Sequence, residues 1–486
     1  MSKAYHPTSI LSRSLEHTRF ASRPEAFLKS LPHAILHTHG GVIAPKPTAA
    51  RIAIKRAGVI RTEQGVNLTS ETEVLNWLNH RLPQGSLNGY LHRYHQIANH
   101  LCSSLDDMRE CFYEGALDYA RHGTRILEVR TAIKSGPLGD SWRRYEMAGI
   151  AFTPQEEFDA VLSGLEAAER ESNMKTCLII CIRRSDDPIR ATEIVKLAHH
   201  LSERIRNKTG RNRIVGIDFV GEEQNYPLKP FAETVKLARS LGFRITAHAG
   251  EAHFGSVTQA LFNLGIATDG KGIDRIGHGT ALARKPSYLL PEDFRVEKNG
   301  RNKNPVNALA DVMFEACLIS NKVCGAQVAK GLEIHTQRFD DITRYWGQNS
   351  QGEWLMPRLQ SMTQASEYPF KTILAHGGMV CFNPDGNCTL TDPTEEFATA
   401  SEGFQLGAKE LLTLAYYSIL HSFISEDEKA LILKRDWLPM ASDFFYDRLH
   451  FDSPEIEMEA FLKAWRVRLA EDVRRESYPF LPNELD

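Results

Sequence analysis

The sequence predicts an α/β chain folded as a TIM-type (β/α)8 barrel, with additional helices and with long loops over the catalytic face. Eight short apolar runs of strand length recur along its 486 residues, and longer amphipathic stretches alternate with them. Several of the runs also end in a histidine or an aspartate. Parallel strands joined by helical crossovers produce this alternation, and eight of them are enough to close a barrel.

In chain order the strand candidates are HAILHTH, TRILEVRT, TCLIICIRR, RIVGIDFVG, FRITAHAG, RIGHG, LISNKV and MVCFNPD. Helical patterns between them include DDMRECFYEGALDYARHG, PQEEFDAVLSGLEAAERES and PFAETVKLARSLG. The last begins after Pro230 and stops at Gly242, which are ordinary start and stop signals. Two stretches break the rhythm. Residues 285–305 are polar, proline-containing and locally basic, and residues 326–368 separate the last two strand candidates by more than the usual short connection. Both follow strand C-termini, so both are candidate lids over the barrel mouth. Residues 1–433 are expected to form the barrel with an N-terminal extension, and 434–486 a C-terminal helical extension packed on it.

Composition narrows the function. Lys and Arg (58) nearly cancel Asp and Glu (61), leaving a formal charge of -3, so no global field favours nucleic acid or an anionic membrane. A small-molecule substrate is the expected partner. No apolar run has the length of a membrane span or a signal-peptide core, and a cytoplasmic protein is expected. The eight cysteines are scattered and never spaced Cys-x-x-Cys, which removes zinc ribbons. Any metal here is held mainly by His and carboxylate.

The residues that carry chemistry sit at strand ends. His37 and His39 flank Thr38, and residues two apart on a strand face the same side; the alternative is a pair of surface histidines. FRITAHAG ends at His248 with Glu251 just beyond, a metal-competent imidazole beside a proton donor, or else a structural turn. RIGHG places His278 between glycines, which leaves the ring accessible for acid–base work. MVCFNPD ends in Asp385, before Gly386, where a turn residue is the plainer reading. Barrel topology sends all these ends to one face, and three His with one carboxylate suit a zinc ion that acidifies a water.

In this order the motifs resemble the adenosine and AMP deaminase family of metal-dependent amidohydrolases. The resemblance spans about residues 30–433 and includes HTH, ILEVR with Glu128 and Arg130, and GIDFVGEE with Asp218, Gly221 and Glu222. TAHAGE, RIGHGT, FEACLISN with Glu315, Ser320 and Asn321, and CFNPD complete it. It implies that His37, His39, His248 and Asp385 bind one Zn2+ per chain, that Glu251 donates a proton to the purine ring, and that His278 orients and deprotonates the attacking water. Gly221 matches a glycine beside the base. The implied reaction is attack of zinc hydroxide on an aminopurine such as adenosine, with release of ammonia.

Two positions depart from the family. Gly41 stands where an Asp associated with the ribose is usual, and Gly386 where a second Asp contacts the base. A larger or differently substituted amine is therefore an open substrate class. His253 and His376 are candidates for replacement contacts, or else ordinary loop residues. Lys46, Arg51, Lys55 and Arg56 either accept a phosphate or form the solvated face of a helix. Two alternatives to a purine aminohydrolase stand: cleavage of another C–N or ester bond, and a binding protein without turnover. The first is disfavoured because TCLIICIRR has no Lys to bridge two metals.

Overall fold

The computed structural model describes residues 24–62, 64–80, 86–136, 152–223, 225–251, 273–282, 297–298, 301–302, 312–335, 347–348, 351, 353–445 and 453–475. Eight strands form one sheet: β1 (His33–His39), β2 (Thr124–Thr131), β3 (Lys175–Arg183), β4 (Ile214–Val220), β5 (Arg244–Ala249), β6 (Arg275–His278), β7 (Met313–Ala316) and β8 (Met379–Phe382). They neighbour one another in chain order and every adjacent pair is parallel. The expected (β/α)8 barrel is the observed architecture.

The seam between β8 and β1 is closed largely by residues just past β8. Asn383 Oδ1 accepts hydrogen bonds from the backbone of Leu36 (2.8 Å) and His37 (3.1 Å), replacing a ladder partner with a side-chain amide. Beyond it Asp385 and Thr38 form a parallel bridge, and His39 N–H donates to the Asp385 carbonyl at 2.9 Å. The seam therefore fixes the backbone of three candidate site residues.

Helices cover the outside. They include α1 (Lys46–Ala57), α2 (Leu87–Leu101), α3 (Leu105–Arg121), α4 (Pro154–Ser172), α5 (Pro188–Thr209), α6 (Ala232–Ser240), α7 (Leu318–Cys324), α8 (Phe370–Ala375), α9 (Pro393–Phe404), α10 (Ala408–Leu420) and α11 (Pro454–Arg475). Their ends follow local chemistry. Thr153 and Glu156 make a capping box in front of Pro154, and α4 stops where Asn173 turns left-handed. The helix beginning at Glu426 runs through a π-helical turn (Leu433–Trp437) to Phe445, and buried Trp437 donates from Nε1 to the Leu412 carbonyl of α10 at 2.9 Å. Trp465 on α11 lies 5.9 Å from the Phe370 ring of α8. Among the described residues no helix is long and apolar enough to cross a membrane. All eight cysteines are buried and unbridged.

Two expectations are corrected. LISNKV is not the seventh strand but lies within helix α7; the strand is Met313–Ala316, just before it, in register with β6 and β8. A short apolar run is ambiguous between strand and helix. Here the choice is made at long range, because the Glu396 carboxylate on α9 accepts from the backbone N–H groups of Leu318 and Ile319 and so caps the helix. Residues 326–368 are also not simply a loop. Gln327–His335, Gly347–Gln348 and Trp354–Ser361 make a three-stranded antiparallel sheet. Most of 285–305 lies outside the described residues.

Under the barrel mouth the core is ionic. Arg130 pairs with Asp218 at 2.8 Å and with Glu315, while Arg275 pairs with Glu315 at 2.8 Å and with Glu128 at 2.6 Å. All five side chains are fully buried. Arg275 also lies 3.5 Å over the Phe423 ring. Burial disfavours both guanidinium charges, but the neighbouring carboxylates outweigh it and keep them firmly protonated. Because removing one side of such a set strands the other in a dry interior, Arg275→Met should cost about 3–5 kcal/mol of stability, read as a lower urea midpoint.

Candidate active site

The side chains picked out at four strand ends meet at the mouth. His37 and His39 leave β1 two residues apart, with ring centroids 5.5 Å from each other; the His248 ring, from β5, is 4.7 Å from His37 and 5.2 Å from His39. Asp385 arrives from the residues after β8. His39 Nε2 lies 3.2 Å from His248 Nε2, and Asp385 Oδ1 lies 3.5 Å from His37 Nε2 and 3.4 Å from His39 Nε2.

Carboxylates behind the rings set which nitrogen faces the mouth. Glu315 Oε2 is 3.0 Å from His37 Nδ1, and Asp218 Oδ2 is 3.2 Å from His248 Nδ1. Burial alone would raise the Glu315 carboxyl, yet Arg130, Arg275 and His37 hold it at about 2. Asp218 is likewise kept well below the carboxylate range, against its burial, by Arg130 and His248. An ionised carboxylate only accepts, so each Nδ1 carries its hydrogen and each Nε2 presents a lone pair. Burial lowers the pKa of His39 to about 4 and that of His248 well below the usual imidazole value, leaving both rings neutral. Asp385 keeps Oδ2 on the Ser320 hydroxyl at 2.6 Å, and His37, His39 and His278 hold its carboxyl down despite burial.

His278 sits beside this group, with its ring 4.8 Å from His37 and 5.0 Å from His248. Asn321 Oδ1 lies 2.8 Å from its Nδ1, so that nitrogen is the donor and Nε2 is left as an acceptor. Glu251 Oε2 is 3.7 Å from that Nε2. Burial, then the charges of Asp385 and Glu223, push the Glu251 carboxyl well above its ordinary pKa. His278 and Asp385 both adopt left-handed backbone (φ 65° and 66°), a strain that seam and turn hydrogen bonds sustain at a functional site. Gly221, at φ 101° beyond β4, leaves open space where a Cβ would stand.

His376, Arg51, Lys55 and Arg56 are not brought here. His376 ends α8, where its Nδ1 donates to the Thr372 carbonyl at 2.7 Å, and the carbonyls of Gly377 and Gly378 accept from Arg466. These residues precede β8 and so lie at the opposite end of the barrel. His253 is outside the described residues. On α1, Arg51 pairs with Glu110 and both Lys55 and Arg56 pair with Asp107 of α3, so all three are occupied by helix packing. Asp218, Glu315, Ser320 and Asn321 were visible only as parts of motifs, and their supporting roles emerge from contacts. The available signal was an acid in the middle of an apolar strand, as in GIDFVG and MFEAC.

The two glycines that depart from the family pattern have neighbours in their place. A Cβ on Gly41 would stand 2.3 Å from the Tyr94 hydroxyl; one on Gly386 would meet Val42 at 2.8 Å and Thr389 Oγ1 at 2.9 Å. Thr389 Oγ1 is itself 3.1 Å from the buried Tyr90 hydroxyl. An introduced carboxylate thus has to displace an existing wall. Gly41→Asp should lower stability by about 1–3 kcal/mol, and adding Tyr94→Phe should return part of that loss in a thermal melt.

Comparison with known proteins agrees with this architecture. A family model described as adenosine deaminase matches residues 32–341. An adenosine deaminase of Enterococcus faecalis is 27% identical over 412 residues, covering 84% of this chain and 96% of the relative. Among solved structures, a zinc-bound amidohydrolase from Burkholderia ambifaria superposes with TM-score 0.58 at 20% identity, covering 90% of this chain and 94% of the other. The N6-methyl-AMP deaminase from Arabidopsis thaliana gives TM-score 0.57 at 18% identity, over 84% and 96%. With the motifs in order, the barrel observed and the family match extending over more than half the chain, the protein belongs to the adenosine deaminase family of hydrolytic aminohydrolases.

Proposed function

We propose that this chain is a zinc-dependent aminohydrolase that deaminates adenosine or a related aminopurine, with one ion held by His37, His39, His248 and Asp385. The convergence of four ligand-type atoms carries this reading. Tetrahedral zinc with nitrogen ligands at about 2.0–2.1 Å places those ligands roughly 3.3 Å apart. Three of the six pairwise spacings here are 3.2, 3.4 and 3.5 Å. His37 Nε2 is also buried without a hydrogen-bond partner among the described residues, a vacancy that costs free energy unless a cation takes the lone pair. His39 and His248 are uncharged imidazoles and Asp385 is an ionised carboxylate, the protonation states that metal binding requires. Bound there, zinc supplies the Lewis acidity that brings the pKa of a water near neutrality.

The protein groups divide the remaining work. His278 Nε2, left as acceptor by the Asn321 contact, takes the proton of the attacking water and later passes it to the departing amine. Glu251, protonated because it is buried among negative charges, donates to the ring nitrogen beside the attacked carbon and recovers a proton as the carbonyl forms. Gly221 leaves the room a flat base needs against the backbone. The Tyr94 wall at Gly41 favours a substrate decorated differently from free adenosine, which makes adenosine, AMP, adenine and N6-substituted purines the panel to assay for ammonia.

Three outcomes test the proposal. Chelation should abolish ammonia release and one equivalent of zinc should restore it; two ions per chain on metal analysis would point instead to a two-metal hydrolase. Glu251→Gln should lower kcat by about 10²–10⁴-fold, the usual share of a positioned acid. In the wild type the acid form of Glu251 is the working form, so kcat should fall as pH rises through its raised pKa. A flat alkaline limb would contradict that role.

A further inference from the structure

The end of β5 and the turn after it carry His248 and Glu251, and two buried charges unused by the chemistry above grip their backbone. Glu223, just beyond β4 and only 3% exposed, accepts from Gly250 N–H through Oε2 and from Glu251 N–H through Oε1, each at 3.1 Å. Gly250 has φ 81°, and successive N–H groups about such a residue form a concave anion site. Here the anion is a side chain of the same protein. On the preceding residues Arg184, 2% exposed at the end of β3, donates from Nη2 to the His248 carbonyl and from Nη1 to the Tyr226 carbonyl at 3.3 Å. Its backbone N–H is tied to the Val220 carbonyl of β4 at 2.8 Å. Burial opposes the Arg184 charge, and Glu223, Asp218 and Glu222 offset that cost in part.

Burying a cation and an anion costs several kcal/mol each before pairing. Neutral groups can close a turn; charged ones make hydrogen bonds roughly twice as strong. We propose that Glu223 and Arg184 are positioning residues that clamp the His248–Glu251 turn from both sides and so hold the Glu251 carboxyl at the reacting nitrogen. The inference rests on Glu251 as the proton donor. Glu223 reaches the donor through its backbone N–H and Arg184 reaches the candidate ligand through its carbonyl, so each acts through another residue.

The test uses the full zinc-loaded chain. Glu223→Gln keeps one acceptor and turns an amide N–H toward the other backbone donor. It should lower kcat by about 10–100-fold, the usual scale for a supporting group, with KM within about twofold and zinc content unchanged. Amide hydrogen exchange at Gly250 and Glu251 should accelerate. In a Glu251→Gln background the same substitution should cost almost nothing further, because both act on one step. Unchanged kcat and exchange, or penalties that multiply in the double variant, would overturn the clamp. If Glu251→Gln alone keeps wild-type kcat, the donor assignment fails instead, and the exchange measurement still decides the clamp. Should Glu223→Gln not fold, Arg184→Lys, which keeps the charge but loses the fork, is expected to give the same kcat loss at constant KM.

Discussion

Everything at the mouth of this barrel stands on the buried ion layer of Arg130, Arg275, Asp218, Glu315 and Glu128. Two of its acids face in both directions. Glu315 and Asp218 neutralise the guanidinium groups and also accept from the Nδ1 atoms of His37 and His248. A carboxylate that bound only a histidine would be pushed up by desolvation and could take the proton itself. With the arginines behind it, it stays ionised, the imidazoles stay in one tautomer, and their Nε2 lone pairs converge. The charged layer is thus a positioning device whose energetic justification lies in the site above it.

The seam adds the fourth corner. Because β8 ends early, the barrel is closed by the Asn383 side chain and by backbone exchange between Asp385 and the His37–His39 segment. The same hydrogen bonds complete the sheet and fix Asp385 beside the two histidines. Left-handed conformations at His278 and Asp385 are tolerable only where the surroundings over-determine them. Tyr368 donates to the His278 carbonyl at 2.8 Å, and Ser320 anchors Asp385. Fold closure and site geometry are one set of contacts.

The surroundings of Gly41 and Gly386 are built differently from the cluster of ligand-type groups. Acid–base and ligand-type groups crowd within hydrogen-bond reach of each other, whereas the wall near Gly41 and Gly386 is made of Tyr94, Tyr90 and Thr389 hydroxyls. Phenols and hydroxyls donate as well as accept, and they carry no charge when protonated. Under the proposed function they suit a substrate decorated differently from one that carboxylates favour.

What the sequence determined by itself was set by local periodicity and by motif order. Alternating apolar runs gave the barrel, and strand-end positions gave His37, His39, His248, His278, Glu251 and Asp385, because strand direction alone decides which end of a barrel a residue faces. Other features needed the tertiary structure. LISNKV became a helix because Glu396, distant in sequence, caps it, and 326–368 formed a sheet through pairings that no short window encodes. Arg51, Lys55 and Arg56 of α1 were claimed by acids of α3, and His376 fell at the far end of the barrel. The supports Asp218, Glu315, Asn321, Arg184 and Glu223 gained meaning only from hydrogen bonds to residues on other elements of the fold. Burial is what makes those contacts decisive, since a charge removed from water must find its partner in space wherever the sequence has put it.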